Sequence, residues 1–328
     1  MLRKPAIRIA KPLHAIHMKL LFWNIKKKGL QLTDELKTLS KDVDILIISE
    51  LTGSKKSLEK LNKTIQDVID SVSKETGLTH IQGKENSWIH VWIKEKKDLN
   101  IELVEKYNNL KSPSDLTDIH VENDSEYFAQ YLNRFERMIF LKINYKKLDF
   151  LLVPIHFPSR IYATVRKQKD IAVHFRKFIE KIESKFSLPS LIVGDFNMNP
   201  FEDGMIHHEG FHALPYQEME ESINFYETPY KTFYNPSWSK FGDHEIKKGV
   251  VQRKPAGSYY YESSRDLKYY WYVLDQVIMR KELIDKFQFD EFKYVRSIYK
   301  NDDLLKGNLI PNEDKYSDHL PLAFKLKN

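Results

Sequence analysis

Cysteine is absent from the sequence, and so is any long apolar run. Without cysteine the chain forms no disulfide framework. This removes one sign of a secreted enzyme, and we expect a cytoplasmic protein. No apolar segment approaches the roughly 20 residues that span a bilayer as a helix. No Gly/Ser-rich linker and no internal repeat divides the 328 residues, of which 41% are hydrophobic. The sequence therefore predicts one large domain.

The N-terminal segment, residues 1–17, has no apolar periodicity. It is basic and contains Pro5 and Pro12. A secretory signal peptide needs an uninterrupted apolar stretch of about 7–15 residues, which this segment does not have. We therefore predict a disordered extension over residues 1–17 and a single folded domain over residues 18–328.

The net charge is mildly positive, at +6 from 52 Lys and Arg against 46 Asp and Glu. A basic surface fits a partner that carries phosphate groups, such as nucleic acid. Lysine is, however, scattered along the whole chain. A lysine-rich composition without functional meaning explains the surplus equally well.

Apolar, strand-like runs alternate with segments that have helical spacing. Residues 54–74 and 160–186 show the apolar stripe of an amphipathic helix. Residues 87–94, 101–106, 135–145 and 148–157 are predicted strands, the last two forming a hairpin at Lys146-Lys147. Residues 108–127 are polar, and we predict that they form an excursion of the chain over the surface, without regular structure. Because hairpins accompany the alternation of strands and helices, we expect a mixed α/β architecture.

Polar side chains stand at the ends of six strand-like runs. These residues are Asn24, Glu50, His156, Asp195 with Asn197, Asp275, and Asp318 with His319. Strand ends hold side chains more firmly than mobile loops do. Acids and amides gathered there suit a hard divalent cation and a hydrolytic water.

The region over residues 201–270 is the least regular and is rich in His, Tyr and Trp. One interpretation is a loop that lines a groove and stacks bases. The other, which we favour for most of these side chains, is an aromatic cap packed on the edge of the sheet. The adjacent His207 and His208 are a weak candidate for a metal site.

The order Asn, Glu, His, Gly-Asp-Phe-Asn, Asp, Ser-Asp-His resembles the endonuclease/exonuclease/phosphatase superfamily of metal-dependent phosphodiesterases. The resemblance runs from about Met18 to the C-terminus. It implies a four-layer α/β sandwich, in which two packed mixed sheets are flanked by helices and the site lies at their common end.

The resemblance also implies roles for the strand-end residues. Glu50 is the expected direct ligand of Mg²⁺ or Mn²⁺, with Asn24 and Asp318 as its partners. Asp195 would position or deprotonate the water, and Asn197 would hold it or a phosphate oxygen. The other three expected catalytic residues are His156, Asp275 and His319.

The resemblance also implies roles for the two histidines. A carboxylate that accepts from one ring nitrogen favours the charged ring, so Asp275 would orient His319 against the phosphate. Whether Asp195 or His319 is the base stays open. His156, within Val-Pro-Ile-His-Phe-Pro, resembles the deoxyribonuclease and sphingomyelinase branches and would protonate the leaving oxygen or bind the phosphate.

These features predict a metal-dependent phosphodiesterase that acts on nucleic acid, most simply a nuclease. A second hypothesis is hydrolysis of a small-molecule or lipid phosphate ester. A third is a binding module that has the fold without turnover, which the complete set of polar strand-end residues disfavours.

Overall fold

The computed structural model describes residues 17–51, 58–81, 87–104, 137–161, 163–262, 270–299 and 303–327, with the backbone alone for residues 58–63. Most of the predicted extension and the predicted excursion over residues 108–127 lie outside these ranges. His17, which the prediction placed in the extension, is the first residue of a strand and pairs with Lys327. Within these ranges, no helix has both the length and the apolar character needed to cross a bilayer.

Four α-helices and a series of strands make up the described fold. The helices are α1 (Thr33–Ser40), α2 (Leu58–Thr76), α3 (Val165–Phe186) and α4 (Asp203–Ile206). The strands are β1 (His17–Asn24), β2 (Ile45–Ser49), β3 (Leu78–Ile81), β4 (Ile89–Lys94), β5 (Leu99–Leu103), β6 (Leu141–Tyr145), β7 (Leu148–His156), β8 (Ser190–Asp195), β9 (Ala213–Leu214), β10 (Ser222–Phe225), β11 (Thr228–Lys231), β12 (Phe233–Tyr234), β13 (His244–Lys247), β14 (Val250–Arg253), β15 (Tyr259–Tyr260), β16 (Trp271–Tyr272), β17 (Asp275–Met279), β18 (Lys293–Tyr294), β19 (Leu305–Lys306), β20 (Ile310–Pro311) and β21 (Leu322–Lys327). Short 3₁₀ helices lie at Pro236–Lys240, Lys281–Lys286, Phe289–Glu291 and Gly307–Leu309.

Two large mixed sheets form the centre of the molecule. The first has the order β18-β21-β1-β2-β4-β3, and the second has the order β5-β6-β7-β8-β17-β12-β9. In the first sheet β1 runs parallel to β2 and antiparallel to β21. In the second, β7 runs parallel to β8, and β8 runs antiparallel to β17. Parallel and antiparallel pairs therefore meet within each sheet, as the alternation of hairpins and helices predicts.

Three apolar clusters define four layers. Phe22, Phe150 and their neighbours are buried between the two sheets. On the outer face of the second sheet, Phe175 in the apolar stripe of α3 packs against strand residues. On the outer face of the first sheet Leu36 of α1 and Val68 of α2 are buried with strand residues. Each sheet thus buries both faces, which confirms the predicted four-layer α/β sandwich.

Helix α3 begins later than its apolar spacing predicts. The side chain of Thr164 accepts a hydrogen bond from the backbone N–H of Lys167, which caps the helix there instead of at residue 160. Ser187 ends it in the left-handed conformation and donates its N–H to the carbonyl of Glu183. Residues 157–161 are consequently left outside the helix, beside the end of β7.

Other element boundaries also differ from the sequence prediction. The strand predicted over residues 101–106 is β5, which begins at Leu99 and ends at Leu103. The strand predicted over residues 135–145 is described only as β6, Leu141–Tyr145. The region over residues 201–270 is more regular than expected, because it contains the hairpins β10–β11 and β13–β14.

Candidate active site

Three of the predicted residues stand in one row across the second sheet. The register pairs His156 with Asp195 on β8, and Asp195 with Asp275 on β17. Directly paired residues on neighbouring strands project from the same face of a sheet. His156, Asp195 and Asp275 are therefore neighbours on one face, and each is almost completely buried.

Gly194 makes this row possible. A Cβ atom at Gly194 would lie 1.9 Å from the carbonyl oxygen of Ile155, and the backbone there has a φ of +155°. Only glycine lets β8 approach β7 this closely at the residue before Asp195. The Gly-Asp dipeptide is thus a packing requirement of the paired strands as well as a feature of the motif.

Asn24 connects the first sheet to this row. Its side-chain amide donates to Asp195 Oδ2 at 3.0 Å and to Glu50 Oε1 at 3.3 Å. Glu50 Oε1 also lies 3.3 Å from His156 Nε2, and Asp195 Oδ2 lies 3.7 Å from the same nitrogen. Two carboxyl groups, one amide and one imidazole from both sheets therefore meet around a single point.

Glu50 directly follows β2 and has a backbone φ of 53°. This left-handed conformation is uncommon for a residue with a side chain and costs on the order of 1 kcal/mol. Backbone hydrogen bonds hold it, because Glu50 N–H donates to the Trp88 carbonyl and Lys27 N–H donates to the Glu50 carbonyl. The fold therefore fixes the direction in which the Glu50 carboxylate leaves the strand.

Asp195 and Asn197 form the tight turn that follows β8. The backbone N–H of Asn197 donates to Asp195 Oδ1 at 2.8 Å, and the Asn197 amide donates to the Phe157 carbonyl at 2.8 Å. Burial raises the pKa of Asp195, and the charge of Asp275 raises it further. The positive charge of His319 and the hydrogen bonds from Asn197 and Asn24 only partly oppose this.

His319 and Asp275 form a buried pair. His319 Nδ1 lies 2.8 Å from Asp275 Oδ2, and His319 Nε2 lies 4.0 Å from Asp195 Oδ2. Burial alone would lower the pKa of His319, but the charge and hydrogen bond of Asp275 outweigh it and raise that pKa. The ring of Tyr259 covers the imidazole, with 4.6 Å between centroids. The imidazole is thus held as a cation.

The surroundings of His156 differ from those of His319, and they keep its imidazole neutral. Since its Nε2 faces the carboxylates of Glu50 and Asp195, Nε2 is the nitrogen that carries the proton. Its Nδ1 is buried without a hydrogen-bond partner among the described residues. Burial lowers the pKa of His156 well below its usual value, and the charges of Arg137, His319 and Lys27 lower it further. His156 is therefore neutral, with Nε2 beside the two acids.

Asp318 reaches the same cavity from the turn that precedes β21. Its carboxylate forms an ion pair with Lys26 at 2.9 Å, and the neighbouring Ser317 hydroxyl donates to the Asn24 carbonyl at 2.7 Å. Lys26 bridges to Glu313 as well, at 3.0 Å. Asp318 thus lies at the predicted site, but in this structure its carboxylate faces a lysine.

All of the predicted site residues except Asp275 line one cavity of about 780 Å³. Four cations and four aromatic side chains share its wall with the predicted residues, namely Lys26, Lys27, Arg137 and Arg160, and Trp88, Tyr259, Tyr261 and Tyr272. The guanidinium of Arg137 lies 4.2 Å from the centre of the Trp88 ring, which is tilted against His156. Sequence reasoning missed this cationic wall, for which the run Lys26-Lys27-Lys28 was the available signal.

The aromatic residues of the irregular region divide between the two interpretations. Tyr259 and Tyr261 line the cavity, whereas Tyr234 is buried in the core between the sheets. His207 and His208 lie outside the cavity wall. Their rings stack on each other, and His208 also stacks on Phe225 at 4.2 Å.

The donor atoms of the cavity suit a hard divalent cation. Glu50 Oε2 makes no hydrogen bond with the described residues, since the contacts of this side chain involve Oε1. Carboxylate and amide oxygens from Glu50, Asn24 and Asp318 are the ligand types that Mg²⁺ and Mn²⁺ accept. Side-chain atoms of Asp195, Asp275 and His319 also lie within 4.8 Å of one another. The bond between His319 Nδ1 and Asp275 makes this second group a hydrogen-bonded unit rather than a ligand set.

No protein-family model matches the sequence, and no curated protein matches it. Solved structures do match. The human Nocturnin catalytic domain with a bound sulfate anion has 12% identity and a TM-score of 0.50, with 95% of each chain covered. D. rerio TDP2 in complex with a single-strand DNA product has 12% identity and the same TM-score, covering 95% of this chain and 99% of that one. The resemblance to the endonuclease/exonuclease/phosphatase superfamily is thereby confirmed at the level of the fold.

Proposed function

Since the chain has the endonuclease/exonuclease/phosphatase fold, we propose that this cavity catalyses metal-dependent hydrolysis of phosphodiester bonds in nucleic acid. The observation that supports this most strongly is the convergence of Glu50, Asp195 and His319, which come from three separate strand ends. A phosphodiester resists hydrolysis because its anionic oxygens repel a nucleophile. A site that hydrolyses it needs positive charge, an activated water and a stabilised leaving group.

Glu50, Asn24 and Asp318 are the residues that would hold Mg²⁺ or Mn²⁺. When bound, such an ion neutralises the phosphate charge and makes a coordinated water more acidic. Lys26 would then release the Asp318 carboxylate or share it, because the ammonium occupies one of its oxygens. The Asn24 amide donates to Glu50 Oε1, and His156 Nε2 lies 3.3 Å from the same oxygen.

Asp195 and Asn197 would act on the attacking water. Burial and the nearby Asp275 favour a protonated carboxyl at Asp195, so this group accepts a proton more readily than an exposed aspartate does. Asn24 and the N–H of Asn197 fix its two oxygens, which aims the carboxyl into the cavity. We assign the base role to Asp195, because Asp275 keeps His319 charged.

His319 would contact the phosphate as a cation and hydrogen-bond donor. Its Nδ1 is bound to Asp275, so Nε2 is the nitrogen that faces Asp195 and the cavity. A charged donor held before the substrate arrives stabilises negative charge as it develops in the transition state. Asp275 is a positioning residue, since it acts through the imidazole.

The wall of the cavity favours a nucleic-acid strand. Lys27, Arg137 and Arg160 supply positive charge for phosphates, and Tyr259 and Tyr261 supply flat rings on which bases stack. The neighbour solved with a single-strand DNA product supports the same substrate class. Hydrolysis of a small-molecule or lipid phosphate ester is the second candidate, because the same rings would also pack against a small ligand in the cavity.

A substrate panel tests this proposal. Single- and double-stranded DNA, RNA, sphingomyelin and bis-p-nitrophenyl phosphate would be incubated with the protein and Mg²⁺ or Mn²⁺. We expect hydrolysis of bis-p-nitrophenyl phosphate and faster hydrolysis of at least one nucleic acid. Selective hydrolysis of sphingomyelin would replace nucleic acid with a lipid substrate. Absence of turnover on every phosphodiester would overturn the proposed activity.

A further inference from the structure

A second pocket, of about 590 Å³, lies beside the edge strand β18 and the hairpin β13–β14. Five cations line it, namely Lys240, Lys247, Lys254, Lys293 and Arg296, whereas its carboxylates are Glu245 and Asp290. Five cations against two carboxylates leave a surplus of three positive charges in a concave surface. Such a surface attracts anions.

Two of these lysines are half-buried without a carboxylate partner within 4.0 Å among the described residues. Lys240 Nζ donates to the Phe292 carbonyl at 2.6 Å and lies 4.3 Å from the centre of the Phe292 ring. Lys254 Nζ donates to the carbonyls of Lys240 and Phe241, at 2.8 and 3.4 Å. Among the described residues, no carboxylate lies within 4.0 Å of either ammonium. Half-buried cations whose hydrogen bonds go only to neutral oxygens are incompletely compensated.

Nearby acids compensate them only in part: the charge of Glu245 raises the pKa of both lysines, and that of Asp243 raises the pKa of Lys254, yet burial outweighs them. Glu245 is paired with Lys247 at 2.6 Å and lies 3.9 Å from Arg296. Burial lowers the pKa of Lys240 to about 8, and the neighbouring charge of Lys254 lowers it further. Burial also lowers the pKa of Lys254. The two ammonium groups thus repel each other, and a bound anion would relieve this repulsion.

The pocket adjoins elements that build the catalytic cavity. Tyr294, in its wall, donates its hydroxyl to the main-chain carbonyl of Asp275 at 2.7 Å. The next residue, Val295, donates its N–H to the carbonyl of Pro321, two residues after His319. The wall of the second pocket is therefore hydrogen-bonded to the segments that carry Asp275 and His319.

From this arrangement we propose that the pocket around Lys240 and Lys254 binds a backbone phosphate of the nucleic-acid strand, outside the position where the bond is cleaved. The identity of the ligand rests on the proposed function, whereas the affinity of the pocket for a phosphate group rests on its own charges. The site would increase affinity for long strands and leave the cleavage of small diesters unchanged.

The test compares binding and turnover in Lys240→Met/Lys254→Met. Binding of a single-stranded DNA of about 12 nucleotides would be measured by fluorescence anisotropy in EDTA over a range of salt concentrations. Since each phosphate contact contributes about 0.7 to the slope of log K against log salt on single strands, we expect the slope to fall by about 1.4. Affinity at low salt should fall about tenfold, while hydrolysis of bis-p-nitrophenyl phosphate stays within about twofold of the unaltered protein.

The matched control is Lys41→Met/Lys177→Met, which removes two exposed lysines distant from the pocket. Lys240→Arg/Lys254→Arg, which keeps both charges, should retain most of the affinity. If the methionine pair fails to fold by circular dichroism, Lys293→Met removes an exposed cation of the same pocket and should lower the slope by about 0.7.

Three results would overturn the proposal. One is binding of the DNA by the methionine pair with unchanged slope and affinity. Another is an equal loss in the control pair, which would show a general effect of charge. The third is that the methionine pair loses binding to anionic phospholipid vesicles while its binding of DNA stays intact. If no phosphodiester is hydrolysed but the pair still loses salt-dependent DNA binding, the pocket assignment stands and the proposed activity falls.

Discussion

Asp275 and His319 are 44 residues apart in the chain and meet in a hydrogen bond of 2.8 Å between Oδ2 and Nδ1. Both residues are buried, and Asp275 is completely so. Backbone contacts hold each partner independently. The N–H of Asp275 donates to the Ser258 hydroxyl, and the Trp23 indole donates to the His319 carbonyl. The pair is therefore part of the folded scaffold before any substrate arrives.

Replacement of either partner should slow catalysis, and the two effects should not multiply. Asp275→Asn removes the acceptor and favours the wrong tautomer, while His319→Ala removes the phosphate contact itself. We expect His319→Ala to cost about 10²–10⁴-fold in turnover, and Asp275→Asn less. Because the residues act as a unit, the double variant should be little worse than His319→Ala. Turnover of all three variants at saturating Mg²⁺ measures this, and simple multiplication of the effects would refute the pairing.

Glu50→Gln should weaken binding of the divalent cation more than it disturbs folding. The amide keeps the shape of the side chain and an acceptor for Asn24, but it lacks the charge that a hard ion needs. Titration calorimetry with Mn²⁺ should show weaker binding, and activity should recover at high Mg²⁺. The control is Glu218→Gln, at an exposed position. Unchanged ion affinity in Glu50→Gln would exclude Glu50 as a ligand.

Gly194→Ala should destabilise the fold strongly. The added Cβ would lie 1.9 Å from the Ile155 carbonyl oxygen, so β7 and β8 must separate at the row that holds His156 and Asp195. We expect a loss of about 3 kcal/mol or more in the free energy of unfolding, measured by urea titration. Gly307→Ala is the matched control, because nothing lies within 4 Å of a Cβ there. Equal stability of the two variants would contradict the close approach.

Acidification should destabilise the protein through His80 and His90, on β3 and β4. Their ring nitrogens lie 3.4 Å apart, and burial lowers the pKa of His80 to about 4 and that of His90 to about 3. The unfolded chain, with histidine pKa values near 6.5, binds more protons below that pH. The stabilisation from the two neutral rings is therefore fully present above about pH 6.5 and is lost as the pH falls toward the folded-state pKa values.

Urea unfolding at two pH values measures this effect. Between about pH 7.5 and pH 5, each neutral histidine should lose about 1–2 kcal/mol of its contribution to stability. His80→Gln/His90→Gln should lose correspondingly less on the same change of pH, since glutamine does not titrate. Identical losses in the two proteins would show that these histidines do not set the acid sensitivity.

The sequence predicts those parts of the structure that depend on local patterns. The continuous apolar runs of β7 and β8 indicate where the strands end, and His156 and Asp195 stand at those ends. Local patterns do not reveal which distant segments pack together. The ion pair of Lys26 with Asp318 and the stacking of Arg137 on Trp88 depend on such packing. The pocket around Lys240 and Lys254 could not be predicted from the sequence for the same reason. It is built from a 3₁₀ helix, a hairpin and an edge strand.

The most direct test of the account follows cleavage of an end-labelled single-stranded DNA under four conditions. These are the unaltered protein with Mg²⁺, the same protein in excess EDTA, the EDTA sample after Mn²⁺ is restored, and Asp195→Asn with Mg²⁺. Circular dichroism would verify that Asp195→Asn is folded. We predict cleavage in the first and third conditions, none in EDTA, and cleavage by Asp195→Asn that is slower by about 10²–10⁴-fold. Undiminished cleavage in EDTA, or full activity of Asp195→Asn, would contradict a metal-dependent hydrolysis at this cavity.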